Sequence, residues 1–490
     1  MIDHTRLRNM PQLLDALKIQ SGEKVILKYM EENQVKDVTS TYFFEQVKRC
    51  TAKLYHLGLS GSHIGIMGAN RYQWMIHLCA IFQIGSVAVL LAPDLNAEDL
   101  SSRSAQTDIT CILHDEALTS VVCQVPGIQH ISMDDALLPD DSADLSAIPQ
   151  GNPEDLSCIL FTSGTTARCK AVMLSHKAMI AGICHNVIHF PFHSQLAILP
   201  LHHIAGFASV LNTWYLDRVI CLGEDFKYLF RYLEHMKPDY MLTVPSLLQV
   251  ILRKLKKGGQ NGHLLGWDLH LIGCGGAQFQ PEVIQTLNDQ GIRVLQSYGA
   301  TEAGGLGFDS EMTPACRDTI GKPCPEIQTK IVDGELYLYS ESVMMGYYKD
   351  PEATAEALVD GWYATGDLCV EEEDGYLRLI GRKKNLIILS NGENVSPEEI
   401  ESKLSVSQDI SEVMVGVEND RLNVSVYPAL PECYSAEFLT QIQDRIRNAV
   451  EDYNHTVPTY KQIHTVHFFE KPFAKTQVGK LIRNSITGVK

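Results

Sequence analysis

The feature that most constrains this chain is an alternation. Short apolar runs end in glycine, serine, threonine or proline, and helical segments separate them: HIGIMG, VAVLLAP, CILHD, LSCILFTSG, LAILPL, VICLG, YMLTVPS, LHLIGCGG and RVLQSYG. Strands spaced by helices predict parallel α/β sheets. In such sheets ligands bind on the loops that follow the carboxyl ends of strands. The pattern changes after about residue 320. KIVDGELYLYSESVMMGYY and GYLRLIGRKKNLIILSNGE read as antiparallel hairpins with Asp-Gly turns. The segment 398–428 then reads helix, strand, strand, and a long helix follows over 436–453. The expected fold is therefore α/β. A large N-terminal domain of parallel α/β subdomains plus a β-rich subdomain (1–382) precedes a small, mobile α+β C-terminal domain (383–490).

The most apolar stretch, 75–92, holds His77, Gln83 and Gly85. It reads as a buried helix, a glycine break and a strand, because a membrane span needs ~20 nearly uninterrupted apolar residues. The N-terminus lacks the apolar core of a signal peptide. The 13 cysteines form no CxxC pair, and HExxH is absent. Reduced thiols in a cytoplasmic enzyme are the expectation. The chain carries 41 Lys and Arg against 59 Asp and Glu, a net charge of −18. Such a surface repels phosphate backbones, so nucleic acid is not an expected partner. A local basic pocket for one small anion is compatible with it.

The most informative stretch is LFTSGTTARCKAVMLSH, residues 160–176. A strand runs into small hydroxylated and glycine residues and then a lysine. Backbone N–H groups in such a loop can surround a polyphosphate. Thr162, Ser163, Gly164, Thr165 and Thr166 supply the loop, and Lys170 a mobile positive charge. GxxxxGK[ST] is absent, so this is not a P-loop.

This loop resembles the signature of the acyl-adenylate-forming (AMP-binding) superfamily: acyl-CoA synthetases, peptide-synthetase adenylation domains and luciferases. It departs from [YF]TSGTTGxPKGV at Ala167, Cys169 and Ala171. Glycine permits positive φ, so alanine at 167 and 171 is expected to weaken ATP binding. Further motifs follow in the superfamily's order. LPLHHIAG resembles LPLxHxxG and implies a role near the acyl pocket for His203. GCGGAQF resembles the GGAPL loop against adenine (Gly275, Gly276, Ala277). SYGATEAGG resembles YGxTE: Tyr298 stacks on adenine beside Gly299, Thr301 bonds a phosphate and Glu302 holds Mg²⁺. GWYATGDL resembles WxxTGD, giving Asp367 the ribose hydroxyls. In GRKKNLIILSNGENVSPEEIE, the resemblance implies that Arg382 reaches ribose and phosphate. Lys384 is the hinge, Asn385 replaces the more frequent aspartate, and the Gly392 loop lines the thiol channel. KPFAKTQVGKLIRN resembles PxTxxGKxxR and makes Lys480 the catalytic lysine.

The resemblance implies ATP, Mg²⁺ and CoA as cofactors and co-substrates, and a small-molecule carboxylic acid as substrate. The C-terminal segment looks like bacterial fatty-acid–CoA ligases. The pocket-like segments contain no acid suited to a substrate amine, which favours an apolar acid, fatty or aryl. Two alternatives stay open: an enzyme loading the phosphopantetheine of an acyl or peptidyl carrier protein, and a slow or non-catalytic nucleotide-binding relative.

Overall fold

The computed structural model describes residues 2–135, 148, 151–162, 169–184, 191–258, 267–275, 281–311, 319–405, 407–431, 433–475 and 481–483. Two large sheets carry the first two-thirds of the chain. The seven-stranded sheet runs Gly346–Tyr347, Ala171–Ser175, Leu156–Phe161, Val87–Leu91, His63–Met67, Ile109–His114, Gln129–Ser132. From Leu156–Phe161 onward its neighbours are parallel, and the other edge is antiparallel. The eight-stranded sheet runs Gly305–Glu311, Arg293–Ala300, Leu271–Gly275, Tyr240–Thr243, Ser194–Ala197, Val219–Leu222, Val25–Glu31, Gln34–Thr39. It is parallel inside and antiparallel at both edges. Alternation in the sequence therefore fixes the parallel interiors, while the antiparallel pairs lie at the sheet edges.

The apolar stretch resolves as expected. Helix Tyr72–Gln83 is buried from Trp74 to Phe82, Gly85 breaks it, and strand Val87–Leu91 follows. Trp74 and Phe82, at 0% and 1% exposure, anchor the core between the sheets. Burying a side chain of this class contributes about 1.5–3 kcal/mol. Among the described residues, no helix is long and apolar enough to cross a membrane.

A third sheet begins with the expected hairpin. Gln328–Val332 pairs with Glu335–Tyr339 around Asp333 and Gly334, both at positive φ. The second expected hairpin does not form as one unit. Leu377–Arg382 turns back through Gly375 to pair with Trp362–Glu371, and Ile387–Ile388 pairs separately with Asn394–Val395. The physical reason is length: Trp362–Glu371 offers a ten-residue partner, whereas the short turn Lys383–Asn385 interrupts the strand at Arg382.

Helix Pro397–Leu404, strands Ile410–Glu418 and Arg421–Pro428, helix Ala436–His455 and strand Ile463–Phe468 follow. They enclose their own core of Val413, Val415, Val424, Ile442 and Ile446. The described cysteines are all free, eight of them buried and Cys123 and Cys433 exposed. Burial pushes the thiols of Cys50 and Cys111 up to about 12.

Candidate active site

The phosphate-loop segment joins two antiparallel strands rather than a strand and a helix. Phe161 pairs with Ala171, and the Thr162 N–H donates to the Lys170 carbonyl at 3.1 Å, closing the loop's base. Ser163, Gly164, Thr165, Thr166 and Ala167 lie outside the described residues. Ala171 is a buried strand residue and is absent from the positive-φ set. This corrects the expectation that alanine there strains the loop: a β-strand φ suits alanine as well as glycine.

The two-residue strand Gly346–Tyr347 pairs with Ala171–Ser175 and brings Tyr347 beside Lys170, whose Nζ lies 4.5 Å from the ring centroid. The Tyr347 hydroxyl donates to Glu302 Oε1 at 2.9 Å. Burial, with Glu302 next in weight, holds that phenol well above its usual range. It therefore stays a donor. Thr301 and Glu302 sit on the turn Thr301–Ala303 at the end of strand Arg293–Ala300. The Met344 N–H fixes that turn by donating to the Glu302 carbonyl at 2.8 Å.

One strand register away, the buried Tyr298 hydroxyl donates to Asp367 Oδ2 at 2.6 Å. Arg382 Nε pairs with Asp367 Oδ1 at 2.5 Å, and its Nη1 donates to the Thr365 carbonyl at 3.1 Å. Asp367 is 5% exposed. Burial, then the Asp367 charge, raises the Tyr298 phenol far above normal. For Arg382 burial opposes the charge, but Asp367 and the neighbouring acidic groups outweigh it, so its value rises. Behind them Glu335 accepts from the Gly366 N–H at 3.0 Å and from Lys383 Nζ at 2.7 Å.

Lys384 closes the group. Burial first, then the charges of Arg382 and Lys170, lower its pKa, while Asp367 and Glu302 act in the opposite sense. Three cations gathered close enough for two of them to depress the third, in a chain of net charge −18, make a basin suited to an anion. Glu302, fixed through one oxygen by a neutral phenol, suits Mg²⁺, which takes one or two carboxylates and completes its shell with substrate phosphates. Among the described residues no group of three or more His, Cys, Asp or Glu could hold a metal by itself.

The remaining expected residues fall nearby or elsewhere. His203 is the residue before helix Ile204–Tyr215, and its ring lies 4.4 Å from that of His202, tilted by 42°. Both line a cavity of about 300 Å³ with Leu90, Phe161, Thr162 and Cys169. Gly275 ends strand Leu271–Gly275, where a Cβ would meet the Ser297 carbonyl oxygen at 2.5 Å. Gly299 follows Tyr298 at a register shift. Gly276, Ala277 and Lys480 lie outside the described residues. Gly392, φ +83°, tips the hairpin Ile387–Ile388/Asn394–Val395. Sequence reasoning missed Tyr347 and Tyr363. Tyr363 is buried and feels the charges of Glu302, Tyr347 and Tyr298. The available signal was the aromatic pair in GYYKDPEAT, just before a helix start.

The AMP-binding enzyme family profile matches residues 18–348, and the AMP-binding enzyme C-terminal domain profile matches 384–488. A long-chain-fatty-acid–CoA ligase of Mycobacterium tuberculosis is 26% identical over 449 residues, covering 77% of this chain and 75% of the relative. A 2-succinylbenzoate–CoA ligase of Bacillus anthracis is 26% identical over 436 residues, covering 85% and 87%. The solved O-succinylbenzoate coenzyme A synthetase of Bacillus subtilis in complex with AMP superposes with a TM-score of 0.81 at 22% identity, covering 97% of this chain and 98% of that one. An anthranilate CoA ligase in complex with anthranoyl-AMP gives 0.82 at 18% identity, covering 98% of each. At these identities the likeness establishes the fold.

Proposed function

Because the chain belongs to the AMP-binding enzyme family, we propose that it joins a carboxylic acid to a thiol in two steps. ATP activates the acid as an acyl-adenylate with loss of pyrophosphate. The thiol of CoA then attacks the acyl carbon and releases AMP. The observation that carries this reading is the convergence of Lys170, Glu302, Asp367, Arg382 and Lys384 around one group of buried phenols.

The chemistry follows from charge. A carboxylate must approach the α-phosphate, and both are anions. Lys170, Arg382 and Lys384 lower that repulsion, and a fixed array of charges is often the largest catalytic contribution. Asp367, held from both sides, offers acceptors to ribose hydroxyls. Glu302 would hold a magnesium ion, whose charge would offset that of the phosphate oxygens. Lys480 supplies the cation that meets the growing charge at the α-phosphate. Residues 1–382 act as the adenylating body and 383–490 as the mobile one, with Lys384 the hinge. The Gly392 hairpin comes in when the thiol attacks. His203, on the cavity beside Thr162, faces the acyl end.

The acid we favour is apolar, fatty or aryl. Relatives named for long-chain fatty acids and for 2-succinylbenzoate support an acid of either kind. The free, mostly buried thiols support a cytoplasmic setting. The test is a panel of fatty and aryl acids assayed for pyrophosphate release with ATP, with and without CoA. Release that needs no acid, or none with any acid, overturns the reading. Acyl transfer to a holo-carrier protein but not to CoA would replace the acceptor.

A further inference from the structure

Near the C-terminus, Lys475 and Leu481 face each other across an isolated antiparallel bridge, and the Ile482 N–H donates to the Ala474 carbonyl at 2.9 Å. Residues 476–480 connect the two sides. Both flanks of this bridge are held by buried carboxylates. Upstream, Lys475 Nζ pairs with Glu412 Oε1 at 2.5 Å, and the Phe473 N–H donates to Glu412 Oε2 at 2.6 Å. The Glu412 side chain is 7% exposed. Downstream, Arg483 grips Glu401 with both ends of its fork: Nη1 to Oε1 at 2.8 Å and Nη2 to Oε2 at 2.6 Å. The Val415 N–H also donates to Glu401 Oε1, at 2.7 Å.

The network does not stop there. Arg483 Nη2 reaches Glu398 Oε1 at 3.2 Å, and that same oxygen accepts from Asn385 Nδ2 at 2.6 Å. Asn385 ends the turn Lys383–Asn385, directly after Arg382. A carboxylate therefore links the arginine three residues beyond Lys480 to the residue beside Lys384. An amide at 385 can donate to Glu398; the aspartate that the superfamily uses more often could not.

Burying ionic groups is costly, and such pairs are weak evidence for stability in themselves. What a bidentate guanidinium–carboxylate pair supplies is orientation. We propose that Arg483, held by Glu401 and Glu398, is a positioning residue for Lys480 and couples its placement to the turn at Lys384 and Asn385. The inference rests on the reading of Lys480 as the adenylating cation. Arg483 does not touch the reacting atoms; it acts by fixing the chain three residues after Lys480.

The experiment measures the two half-reactions separately in the full-length protein. Adenylation is read by acid-dependent ATP–pyrophosphate exchange, and thioester formation by supplying a synthetic acyl-adenylate with CoA. Arg483→Met should lower the turnover of exchange by about ten- to a hundred-fold, the scale of an approximately 1 Å misplacement, and leave the ATP KM within about twofold. Thioester formation should stay unchanged. Arg483→Lys, which keeps the charge but not the fork, should fall in between, and Asn385→Asp should move in the same direction as Arg483→Met. Lys480→Ala serves as the reference. If Lys480→Ala retains full exchange, the reading of Lys480 falls and this inference with it. If Lys480→Ala abolishes exchange but Arg483→Met retains it, the positioning role alone is overturned. Equal loss of both half-reactions together with a lowered melting temperature would make Arg483 a purely structural residue, which also overturns the proposal.

Discussion

The large and small bodies both fix carboxylates through side-chain partners, and they hold them differently. Glu302 is fixed by the phenol of Tyr347, and Asp367 by the phenol of Tyr298 together with Arg382. In the small body Glu401 and Glu412 face Arg483 and Lys475. A phenol orients a carboxylate without neutralising it, so the charge stays available for a metal ion or a sugar hydroxyl. A cation as the main partner offsets the charge and ties chain segments together. Asp367, held by a phenol on one oxygen and by Arg382 on the other, combines the two, and Glu302 and Glu401 mark the ends of the range.

The strongest test of this division lies at the C-terminus. Lys480→Ala should reduce adenylation by about 10²–10³-fold, as loss of one transition-state donor does, while thioester formation from supplied acyl-adenylate persists. Half-reaction kinetics decide it, and equal loss of both steps would break the assignment. Next come two carboxylates treated alike. Glu302→Gln should cost about a hundred-fold in magnesium-dependent adenylation with little change in melting, because a neutral amide is a poor Mg²⁺ ligand. Glu412→Gln should show itself in stability, by about 1.5–3 kcal/mol for weakened hydrogen bonds to a charged group. Denaturant titration checks this, and an unmoved midpoint would erase the contrast.

Removing only the orienting phenol should do less. Tyr347→Phe deletes one hydrogen bond, about 0.5–1.5 kcal/mol, and should raise the apparent requirement for magnesium by up to about tenfold. Ala171→Gly should leave the ATP KM unaltered, since the strand does not need positive φ there. It should cost about 0.5–1 kcal/mol of stability. A lower ATP KM in this variant would restore the strained-loop idea. The smallest signal is a proton. The Lys384 pKa is depressed by burial and by Arg382 and Lys170. A bound polyphosphate should raise it, so nucleotide binding should take up protons between the depressed value and the ordinary lysine range. Below that window the amine is already charged and uptake should vanish. Calorimetry in buffers of differing ionisation enthalpy reads it.

Much of this was legible in the sequence. Alternating runs specified parallel sheet interiors, the Asp333–Gly334 turn announced its hairpin, and the long helix predicted over 436–453 forms as Ala436–His455. The motifs placed Lys170, Tyr298, Glu302, Asp367 and Arg382 in order along the chain, and the fold gathers them. What escaped depends on pairings between distant segments. Tyr347 matters because Gly346 lies opposite Met173 and Tyr347 opposite Val172, a register that no local pattern encodes. The same holds for Gly381, φ +151°, where a Cβ would meet the Ser396 hydroxyl at 2.1 Å. The error at Ala171 came from matching a motif letter by letter without asking which backbone conformation each letter serves.

The distribution of thiols has a practical consequence. Cys123 lies on the large body, at the end of helix Thr119–Val122, and Cys433 on the small one, just before helix Ala436–His455; both are exposed. The eight buried thiols are kept protonated and shielded, and thiolates, not thiols, react with maleimides. Among the described residues, Cys123 and Cys433 are therefore the most accessible attachment points, one on each body, ahead of the half-buried Cys169 and Cys324. A donor–acceptor fluorophore pair placed there would test whether the small body moves against the large one when ATP, acid and CoA are added.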